Sequence, residues 1–467
     1  MQSIVIFEYS LKLNNKALVQ AIKGSKSIIP IVIIDEKLSS IIQGSNSEIF
    51  FHKALLSLKN QLKKDYDIVL HILMGDYIEI INNLLLNFNV NSIYINKIYE
   101  PKYLRLYKQL LNEVKSKNIN VYLLNDNLLH APDDLNYKSM KGENFKVFTP
   151  FYNHFIKNFA VRKLEDFNSE ALKPCNFVAS LPSLVNFKSS TLNALESSNT
   201  VEVNLENKAW QIFNDFISLK VKDYHINRDF PELFGNSGLA PYFKFGIISP
   251  SAVIQQLKII KNESNTLGVD CFIKEIIWRE FAYNVVYYYP HILQEDYKDL
   301  YADFTFNNDE KLLNLFTQGR TGYPIIDAGI KQLITTGLLH NRIRMLVASF
   351  FIKNLHFPWQ LGAEFFMNYL IDADVVVNSV SWQWVAGTGF DSVPYFRIFN
   401  PALQHQKFDI NSLYTKQFVK ELETIASKEI LAMYESDSLF YIPKILNFKQ
   451  SREHYLLSLK SKNTVLV

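Results

Sequence analysis

The chain has 467 residues, of which 48% are apolar and 14% aromatic, and its 49 basic and 46 acidic side chains give a net charge of +3. This apolar content supplies a large core, which excludes disorder as the overall class, and the balanced charge by itself predicts no class of partner. The two cysteines, Cys175 and Cys271, are too few for a disulfide framework, a zinc knuckle or an iron–sulfur cluster.

The first 130 residues alternate short β-branched runs with amphipathic stretches. Buried strands that alternate with helices predict a doubly wound, Rossmann-like parallel sheet, so residues 1–130 are interpreted as one α/β domain. No GxGxxG pattern follows the first strand, which means that the dinucleotide fingerprint of such sheets is absent. The predicted strands are residues 3–7, 27–34, 67–73, 91–95 and 120–124, and the predicted helices are 50–64 and 77–88.

Residues 131–205 lose this alternation, and their Asp, Pro, Ser and Asn content predicts a connection that crosses the surface. From residue 206 onwards apolar positions recur at helical spacing, so residues 206–467 are interpreted as a larger, all-helical domain. Pro250 and Pro324 stand where helices begin, and Gly337 stands where one ends. In this half the predicted helices are residues 209–219, 269–288, 325–333 and 341–352.

The N-terminal sequence MQSIVIFEYS places a glutamate after a short apolar run and lacks the cleavage pattern of a signal peptide. No apolar run approaches the ~20 residues that a membrane span needs. We therefore expect a cytoplasmic protein without a membrane segment.

Three groups of polar and aromatic residues in the helical half could carry chemistry. In the first, Glu275, Trp278 and Arg279 share one helix face because they are separated by three and four positions. Such a face lines a pocket or, alternatively, forms a surface ion pair beside a half-buried Trp. Spacing alone leaves both interpretations open.

The second group surrounds the start of the predicted helix at residue 341. Asn341, Arg344 and Met345 share a face that could meet a ligand, whereas Arg342 points elsewhere and could meet a phosphate. The alternative is an ordinary N-terminal turn, beginning at His340, with solvated cations.

The third group combines Asp372 and Asp374 with Asn378, Trp382 and Trp384. Two acids without a nearby His or a further carboxylate give weak support to a divalent ion, and no metal is expected. Acids that bind a sugar hydroxyl or an arginine are the better interpretation, and plain core packing of the two Trp rings is the alternative.

Five motifs of the helical half follow one another in order: WREF from Trp278, TGYPIIDAGIKQL from Thr321, LHNRIRM from Leu339, WQWVAGTG from Trp382 and PYFRIFNP from Pro394. With these motifs at this spacing the chain strongly resembles the photolyase/cryptochrome family. Within the family it resembles the class I enzymes that act on cyclobutane pyrimidine dimers. The resemblance is dense over residues 224–409 and looser, but colinear, over the predicted sheet.

The resemblance implies that the helical domain binds FAD. Ala240 departs from the family's phosphate-binding turn because it lacks the usual hydroxyl, although backbone donors remain. Asn378 matches the residue that faces the redox-active ring nitrogen, where a neutral amide favours reduced flavin. The residues that match flavin contacts are Tyr224, Asn236, Ser237, Gly238, Leu239, Ala240, Phe272, Arg279, Arg344, Asp372, Asp374 and Asn378.

The resemblance also implies light-driven repair of cyclobutane pyrimidine dimers in DNA by electron transfer from excited, reduced FAD. Glu275 matches a carboxyl that hydrogen-bonds a pyrimidine carbonyl of the dimer. Trp278 and Trp384 match the apolar walls around the flipped dimer, and Asn341 and Met345 match the remaining catalytic contacts. The residues that match DNA contacts are Arg228, Glu275, Trp278, Asn341, Arg342 and Gln404.

Flavin reduction in this family usually passes through three tryptophans. Trp382 and Trp359 match the first two, but the third position holds Phe306, and phenylalanine is much harder to oxidise. We therefore expect impaired photoreduction, with repair preserved when the flavin is supplied reduced. Tyr301 is a candidate substitute for the missing outer ring.

A second, antenna chromophore is often held by the family's N-terminal sheet. Tyr99 and Glu100 of the folate motif remain, but Lys102 and Tyr103 stand where folate-binding members carry Asn-Glu. Folate binding is therefore doubtful, and a deazaflavin, another flavin or no antenna stays open.

Two other functions fit parts of this pattern: a cryptochrome-like blue-light photoreceptor with little or no repair, and a flavin-binding regulator of nucleic acid. The presence of every dimer-contact residue, and the expected absence of a long signalling tail, argue against the photoreceptor. Enzymes for (6-4) products usually carry His around the position that holds Asn341 here. Damaged DNA is the expected partner, and we expect the protein to act as a monomer.

Overall fold

A parallel β-sheet organises the N-terminal part of the computed structural model, which describes residues 2–134, 144–158, 176–181 and 204–463. The strands are β1 (Gln2–Ile6), β2 (Ser27–Ile34), β3 (His71–Met74), β4 (Val90–Asn96), β5 (Asn120–Leu124) and β6 (Asn176–Phe177). Their order is β3-β2-β1-β4-β5, and β6 pairs with β2. From β1 the chain adds β2 and β3 on one side of that strand, and it then crosses over to add β4 and β5 on the other side. This reversal of direction confirms the predicted doubly wound sheet.

The third strand is shorter than the sequence predicts. The prediction was a strand at residues 67–73, whereas β3 begins at His71. Asp67 adopts a left-handed conformation, with φ of 56°, and caps the preceding helix. Its backbone N–H donates to the carbonyl oxygens of Leu62 and Lys63 in the last turn. Ile68 and Leu70 are buried in the segment that follows, so their apolar character does not mark a strand.

Helices account for most of the described residues after position 204, and the four predicted in this half are all present within a few residues of their expected bounds. Pro250 and Pro324 occupy first helical positions, and Gly337 ends a helix with φ of 68°, as predicted. The α-helices are α1 (Lys16–Gly24), α2 (Asn46–Tyr66), α3 (Tyr77–Asn87), α4 (Pro101–Val114), α5 (Phe148–Asn158), α6 (Leu205–Leu219), α7 (Tyr224–Asn227), α8 (Ala240–Lys244), α9 (Pro250–Ile260), α10 (Thr266–Tyr288), α11 (Glu310–Thr317), α12 (Pro324–Thr336), α13 (Asn341–Lys353), α14 (Trp359–Tyr369), α15 (Val375–Ala386), α16 (Pro401–Phe408), α17 (Leu413–Phe418), α18 (Ser427–Ala432) and α19 (Phe448–Asn463).

Helix α15 lies at the centre of the helical part, where it packs against α10, α13 and α14. Residues 280–286 of α10 are all buried, so these two turns of the helix are enclosed on every side. The three groups of predicted site residues lie on α10, around the start of α13 and on α15. Packing of these helices therefore brings the three groups into one region of the molecule.

A buried charged cluster joins the sheet to the helical part. Lys244 Nζ lies 3.1 Å from Glu100 Oε1 and 3.9 Å from Asp374 Oδ2, and the side chains of Lys244 and Glu100 are each only 3% exposed. Burial disfavours a charged amine, but the negative charges of Asp374 and Glu100 raise the pKa of Lys244 well above its ordinary value. The charged amine therefore ties α4, which Glu100 precedes, to α8 and α15.

The predicted connection at residues 131–205 contains structure of its own. Helix α5 buries three Phe side chains and packs against α10, and β6 extends the sheet beside β2. The limits of the two domains at residues 130 and 206 stay predictions. The parts of this stretch outside the described residues are 135–143, 159–175, which includes Cys175, and 182–203.

The TGYP motif forms a turn around the buried carboxylate of Asp327. Asp327 Oδ1 accepts hydrogen bonds from the backbone N–H and the hydroxyl of Thr321, both at 2.7 Å. Its Oδ2 accepts from the Gly322 N–H at 3.0 Å and from the Tyr441 hydroxyl at 2.6 Å. This motif therefore stabilises the fold by tying the start of α12 to a segment near the C-terminus.

Replacing Asp327 with asparagine is expected to lower the free energy of unfolding by about 2–4 kcal/mol. An amide offers a single oxygen and points an NH₂ group at donors that need an acceptor. Urea unfolding followed by circular dichroism measures the change. Asp309→Asn is the matched control, because Asp309 caps α11 from an exposed position and asparagine caps equally well. An equal loss in both variants would contradict the importance of this turn.

Candidate functional site

The Glu275 carboxylate on α10 is paired with Arg228, just after α7. Arg228 Nη1 donates to Glu275 Oε1 and lies 3.4 Å from Cys271 Sγ, one turn earlier on α10. Burial disfavours charge on Arg228, but the hydrogen bond and negative charge of Glu275 raise the pKa of the guanidinium. The Glu275 side chain is 30% exposed, so an incoming ligand can reach the carboxylate.

The Trp278 ring stacks face to face on Phe148 of α5. The ring centroids are 3.5 Å apart and the planes differ by 6°, while Phe281 meets the indole edge-on at 5.9 Å. Trp278 is half-buried. Stacking therefore fixes the plane of the indole and leaves part of the side chain open, as an apolar pocket wall requires.

The first residues of α13 point in different directions, as their spacing predicts. His340 caps the helix, since its Nδ1 accepts the Arg342 N–H at 3.2 Å. Asn341 is exposed, and its Nδ2 lies 3.8 Å from Met345 Sδ. Arg342 turns away and pairs with Asp229, with 2.6 Å between Nη2 and Oδ1.

The predicted pair of Arg344 and Asp372 is present. Arg344 Nη2 donates to both carboxylate oxygens at 3.0 and 2.9 Å, and its Nε donates to the Leu339 carbonyl at 2.8 Å. The guanidinium is therefore fixed at two edges, and its partner comes from the segment that leads into α15.

Asp374 is held at the start of α15 from two sides. Its Oδ1 accepts two backbone N–H groups in the first turn, at 3.0 and 3.1 Å, and its Oδ2 accepts the Tyr283 hydroxyl at 2.8 Å. Burial by itself would raise the pKa of this carboxyl, but the charges of Lys244 and Arg279 outweigh burial and lower it. Asp374 is therefore a fixed anion.

Asn378 is oriented by the neighbouring helix α14. Its Nδ2 donates to the Ala363 carbonyl at 2.9 Å, which leaves Oδ1 as the atom for a ligand's N–H. Trp384, on the same helix, is half-buried, and so is Gln404 on α16. The Gln404 Oε1 atom has no hydrogen-bond donor within the described ranges.

Tyr224 and Phe272 belong to one buried aromatic group. Their rings meet edge to face at 5.4 Å, and Phe216 contacts both, at 5.3 Å from Tyr224 and 4.6 Å from Phe272. The Arg228 guanidinium lies 5.7 Å from the centre of the Tyr224 ring. The predicted flavin-contact tyrosine is thus adjacent to the Arg228–Glu275 pair.

The predicted phosphate-binding turn at residues 236–240 leads into α8. Ser237 Oγ accepts the Leu239 N–H at 3.3 Å. Gly238 has φ of 73°, a left-handed conformation that glycine adopts without strain. Asn236 is half-buried, whereas Ala240 is exposed and starts the helix.

Trp382 is buried on α15 beneath a close helix contact. A Cβ atom on Gly362 of α14 would lie 2.2 Å from Cη2 of the indole, so only glycine allows this approach. Phe366 lies 4.9 Å from the ring centroid. The Trp382 Nε1–H has no acceptor among the described residues.

Trp359 and Phe306 differ in their surroundings. Trp359 is 2% exposed and donates its Nε1–H to Asp296 Oδ1 at 2.6 Å. Phe306 is half-buried, with its ring 5.3 Å from Tyr301 and 5.0 Å from Phe304. Trp359 therefore has an anionic partner that stabilises positive charge on the indole, and Phe306 has only apolar and aromatic neighbours among these contacts.

Arg279 turns towards the sheet, although it follows Trp278 directly. Its Nη1 donates to the Asn127 carbonyl at 2.9 Å, and the guanidinium lies 5.2 Å from the Tyr283 ring centre. These residues line a small cleft together with Tyr9, Asn96 and other residues around the ends of β1 and β4. Glu275, Trp278 and Arg279 thus have three different surroundings, and the predicted flavin contact of Arg279 stays a prediction.

That cleft contains polar atoms without protein partners. Asn96 Nδ2, Asn127 Oδ1 and Arg279 Nη2 are buried and make no hydrogen bond to any described residue. It lies at the carboxyl ends of neighbouring parallel strands, where α/β sheets hold ligands. Among the described residues, the cleft therefore presents unpaired donors and an unpaired acceptor at this edge of the sheet.

Three residues of this region were missed by the sequence reasoning: Asp229, Phe148 and Asp296. Each acts on its partner across a long stretch of chain, so no helical or strand spacing relates them. The one available signal was the position of Asp229, immediately after the predicted DNA contact Arg228.

Stability is expected to fall as the pH drops from about 6.5 towards 4, and His340 contributes to the fall. Burial lowers its pKa from 6.5 to about 4, so below pH 6.5 the unfolded chain binds a proton that the folded chain does not. The loss is about 2 kcal/mol at pH 5. Burial likewise lowers the pKa of His405 to about 4, which adds a similar loss.

Urea unfolding at pH 7.5 and pH 5 measures this difference. His340→Asn is expected to reduce the pH dependence, because asparagine caps a helix without titrating in this range. A His340→Asn variant with the wild-type pH dependence would contradict the role of His340.

The donor set suits a bound flavin dinucleotide. Trp382 Nε1 has no acceptor among the described residues, and Asn378, also on α15, is held through its Nδ2 so that Oδ1 faces away from that hydrogen bond. The Arg344–Asp372 pair precedes that helix, and the open turn at residues 236–240 leads into α8, which the Lys244–Asp374 contact ties to the start of α15. The residues present therefore fit FAD.

No helix in the described ranges is both long and apolar enough to cross a membrane.

Two family models match the chain. The model described as the FAD binding domain of DNA photolyase matches residues 272–461, and the one described as DNA photolyase matches residues 7–171. A deoxyribodipyrimidine photo-lyase of Agrobacterium fabrum is 33% identical over 441 residues, which cover 93% of this chain and 90% of that protein.

Solved structures agree over nearly the whole length. A class III photolyase from Agrobacterium tumefaciens has a TM-score of 0.89 at 30% identity and covers 99% of this chain and 98% of its own. An archaeal photolyase from Sulfolobus tokodaii, solved with two FAD molecules, has a TM-score of 0.81 at 28% identity and covers 99% of this chain and 100% of its own. With both family models and a relative matched over nine-tenths of its length, the chain belongs to the photolyase/cryptochrome family.

Proposed function

We propose that this protein uses light to repair cyclobutane pyrimidine dimers in DNA, with FAD bound in its helical domain. The names of its relatives and the FAD-binding family model support this function. The observation that carries it is the link between the two predicted sides of the substrate site. Adjacent residues Arg228 and Asp229 pair with Glu275 of α10 and Arg342 of α13, so the dimer-contact and phosphate-contact groups lie side by side.

Bound FAD supplies the absorption of light and the electron that drives the reaction. The chain's own groups hold and orient it: an aromatic group, a backbone turn, a fixed ion pair, a fixed anion and one oriented amide. The residues in these roles are Tyr224, Phe272, the turn 236–240, Arg344 with Asp372, Asp374, and Asn378.

Glu275 binds the pyrimidine edge of the flipped dimer. As a carboxylate it accepts a pyrimidine N–H, and as a carboxyl it donates to a pyrimidine oxygen. Entry of the dimer separates Glu275 from Arg228 and encloses it in a drier site, where its hydrogen bond to the pyrimidine is stronger than in water. Donation then strengthens as negative charge develops on that oxygen, and this bond stabilises the reactive state more than the ground state.

Trp278 and Trp384 contact the flat faces of the dimer. Both are half-buried, and Trp278 is fixed by its stacking on Phe148. Pre-oriented rings lower the entropic cost of holding an extruded nucleotide, whose damaged pairing also makes it easier to remove from the duplex. Cleavage of the two carbon–carbon bonds between the pyrimidines would leave the substrate without net oxidation or reduction, since bound FAD would supply one electron and recover it.

Illumination of the protein with a thymine-dimer oligonucleotide tests this function. With its flavin chemically reduced, the protein is expected to convert dimers to intact thymines under blue light and to leave them unchanged in the dark. Chromatography of the digested oligonucleotide measures the conversion. Dimers that persist in the light would refute repair and favour a photoreceptor or a regulator.

Three finer expectations belong to the same proposal. We expect a cytoplasmic monomer, which light scattering after size-exclusion chromatography tests for mass. Folate binding is doubtful, because Lys102 and Tyr103 stand where folate-binding members carry Asn-Glu, and an absorption spectrum of the released chromophores distinguishes folate from a deazaflavin, another flavin or no antenna. The class I assignment within the family also stays a prediction.

A further inference from the structure

Three consecutive residues after α7 join the helices of the proposed DNA-binding region. Arg228 pairs with Glu275 of α10, Asp229 pairs with Arg342 of α13, and Phe230 packs edge-on against Phe408 of α16 with centroids 5.8 Å apart. We refer to residues 228–230 as the bridge. Its middle residue is an acid in a region that must receive phosphates, and the proposed function gives it no role.

Asp229 occupies the edge of Arg342 that a phosphate would use. Arg342 Nη2 lies 2.6 Å from Asp229 Oδ1, and the guanidinium carbon lies 4.3 Å from the centre of the Phe408 ring. The carboxylate binds one edge of the planar cation, and the aromatic ring covers one face. The Arg342 side chain is consequently only 19% exposed, whereas that of Asp229 is 40% exposed.

A phosphate reaches the Arg342 guanidinium only by displacing the Asp229 carboxylate or by sharing the guanidinium with it. The exchange replaces one charge-assisted hydrogen bond with another, so it adds little net affinity while Asp229 stays in place. Undamaged duplex DNA is bound mainly through such phosphate contacts. A carboxylate that neutralises Arg342 therefore weakens binding of undamaged DNA.

Dimer binding removes this restraint through the bridge. A pyrimidine that takes Glu275 Oε1 displaces Arg228, and Arg228 and Asp229 are neighbours in the chain. A shift of Arg228 would carry the adjacent Asp229 with it, which would draw its carboxylate from Arg342 and free the guanidinium for the phosphate beside the flipped dimer. The two ion pairs would then open together when a dimer enters and stay closed on intact DNA.

We propose that Asp229 is a specificity-determining residue, an internal competitor for phosphate that lowers affinity for undamaged DNA and releases Arg342 when the dimer engages Glu275. This role rests on the proposed function, because it requires that the site accept a dimer.

Asp229→Asn tests the role through binding measured in the dark. Affinity for undamaged duplex is expected to rise about fivefold, and the slope of log affinity against log salt is expected to steepen by about 0.9. Affinity for a duplex with one thymine dimer is expected to rise much less, so discrimination falls. Fluorescence anisotropy with labelled duplexes at several salt concentrations measures all three quantities.

Two comparisons separate this role from simple loss of negative charge. Asp65→Asn removes the same charge from an exposed position on α2 and is expected to change neither discrimination nor slope. In an Arg342→Gln background, Asp229→Asn is expected to have no further effect. An equal gain in both backgrounds, or an equal gain on both duplexes, would overturn the proposal. Thermal unfolding confirms that each variant is folded.

The outcomes for the wild type distinguish the two proposals. A wild-type protein that prefers dimer-containing DNA, together with an Asp229→Asn variant of unchanged preference, refutes the role of Asp229 alone. A wild-type protein without preference for the dimer refutes the proposed function and the role of Asp229 with it.

Discussion

Replacing Trp278 with alanine is expected to weaken binding of dimer-containing DNA by about 5- to 150-fold and to leave binding of undamaged DNA nearly unchanged. The indole is stacked on Phe148 at 3.5 Å and is half-buried, so it offers a rigid apolar surface to an extruded base. Alanine removes that surface and leaves the phosphate contacts in place. Binding isotherms with damaged and intact duplexes in the dark measure the difference.

Trp210→Ala is the matched control for this change. Trp210 is also half-buried on a helix, packs edge-on against Phe213 at 5.9 Å, and has no proposed role in the site. It is expected to lower stability without altering the preference for the dimer. If Trp278→Ala weakened binding of both duplexes alike, Trp278 would not be a wall of the dimer pocket.

Light-driven reduction of the bound flavin is expected to depend on Trp382 and to be limited by Phe306. Trp382→Phe is expected to abolish it, and Phe306→Trp to accelerate it by at least about tenfold, a barrier change of ~1.4 kcal/mol. Phe306 is half-buried, so an indole at this position meets solvent. Absorption spectra during illumination with an external reductant measure the rate.

Repair separates this effect from damage to the site. Both variants are expected to repair dimers at the wild-type rate when the flavin is chemically reduced beforehand, because Trp382 and Phe306 have no proposed contact with the dimer. An unchanged photoreduction rate in Phe306→Trp would show that position 306 does not limit electron flow.

Tyr301 is poorly placed to substitute for the missing tryptophan. Its hydroxyl donates to the Ala386 carbonyl at 2.9 Å and lies 2.7 Å from the Tyr455 hydroxyl. Oxidised tyrosine must lose its proton, and neither a carbonyl nor a phenol is an effective base. Tyr301→Phe is therefore expected to leave photoreduction unchanged, and a lower rate would restore Tyr301 as the outer donor.

Local pattern predicted several elements of the fold well, both where an element is buried on both faces, as β2 is, and where it is partly exposed, as β5 is. Strands 27–34 and 120–124 and the helix from residue 341 agree with the structure at nearly every position. The error at β3 arose because Ile68 and Leu70 are buried in a segment that is not a strand. Apolar periodicity reports burial, and it cannot distinguish a strand from a buried segment held by a left-handed residue such as Asp67.

The candidate site was predicted unevenly for a similar reason. The Arg344–Asp372 pair is present as expected, and Arg342 diverges from Asn341 as helical spacing requires. Arg279 shares a helix face with Glu275, but its long side chain reaches the sheet instead. Spacing fixes where a side chain leaves a helix, whereas the direction of a flexible cation depends on which acceptors the neighbouring elements offer.

The sequence by itself determined the parallel sheet, the helical half and the residue types available for flavin and DNA chemistry, because these follow from local periodicity and from motifs in fixed order. Only the tertiary structure decided which acid meets which cation. Arg228 meets Glu275 and Asp229 meets Arg342 because α7, α10 and α13 come together in the fold, and no local pattern encodes a contact between distant segments. Because Asp229 pairs with Arg342 in the fold, Asp229 is a candidate determinant of specificity for damaged DNA.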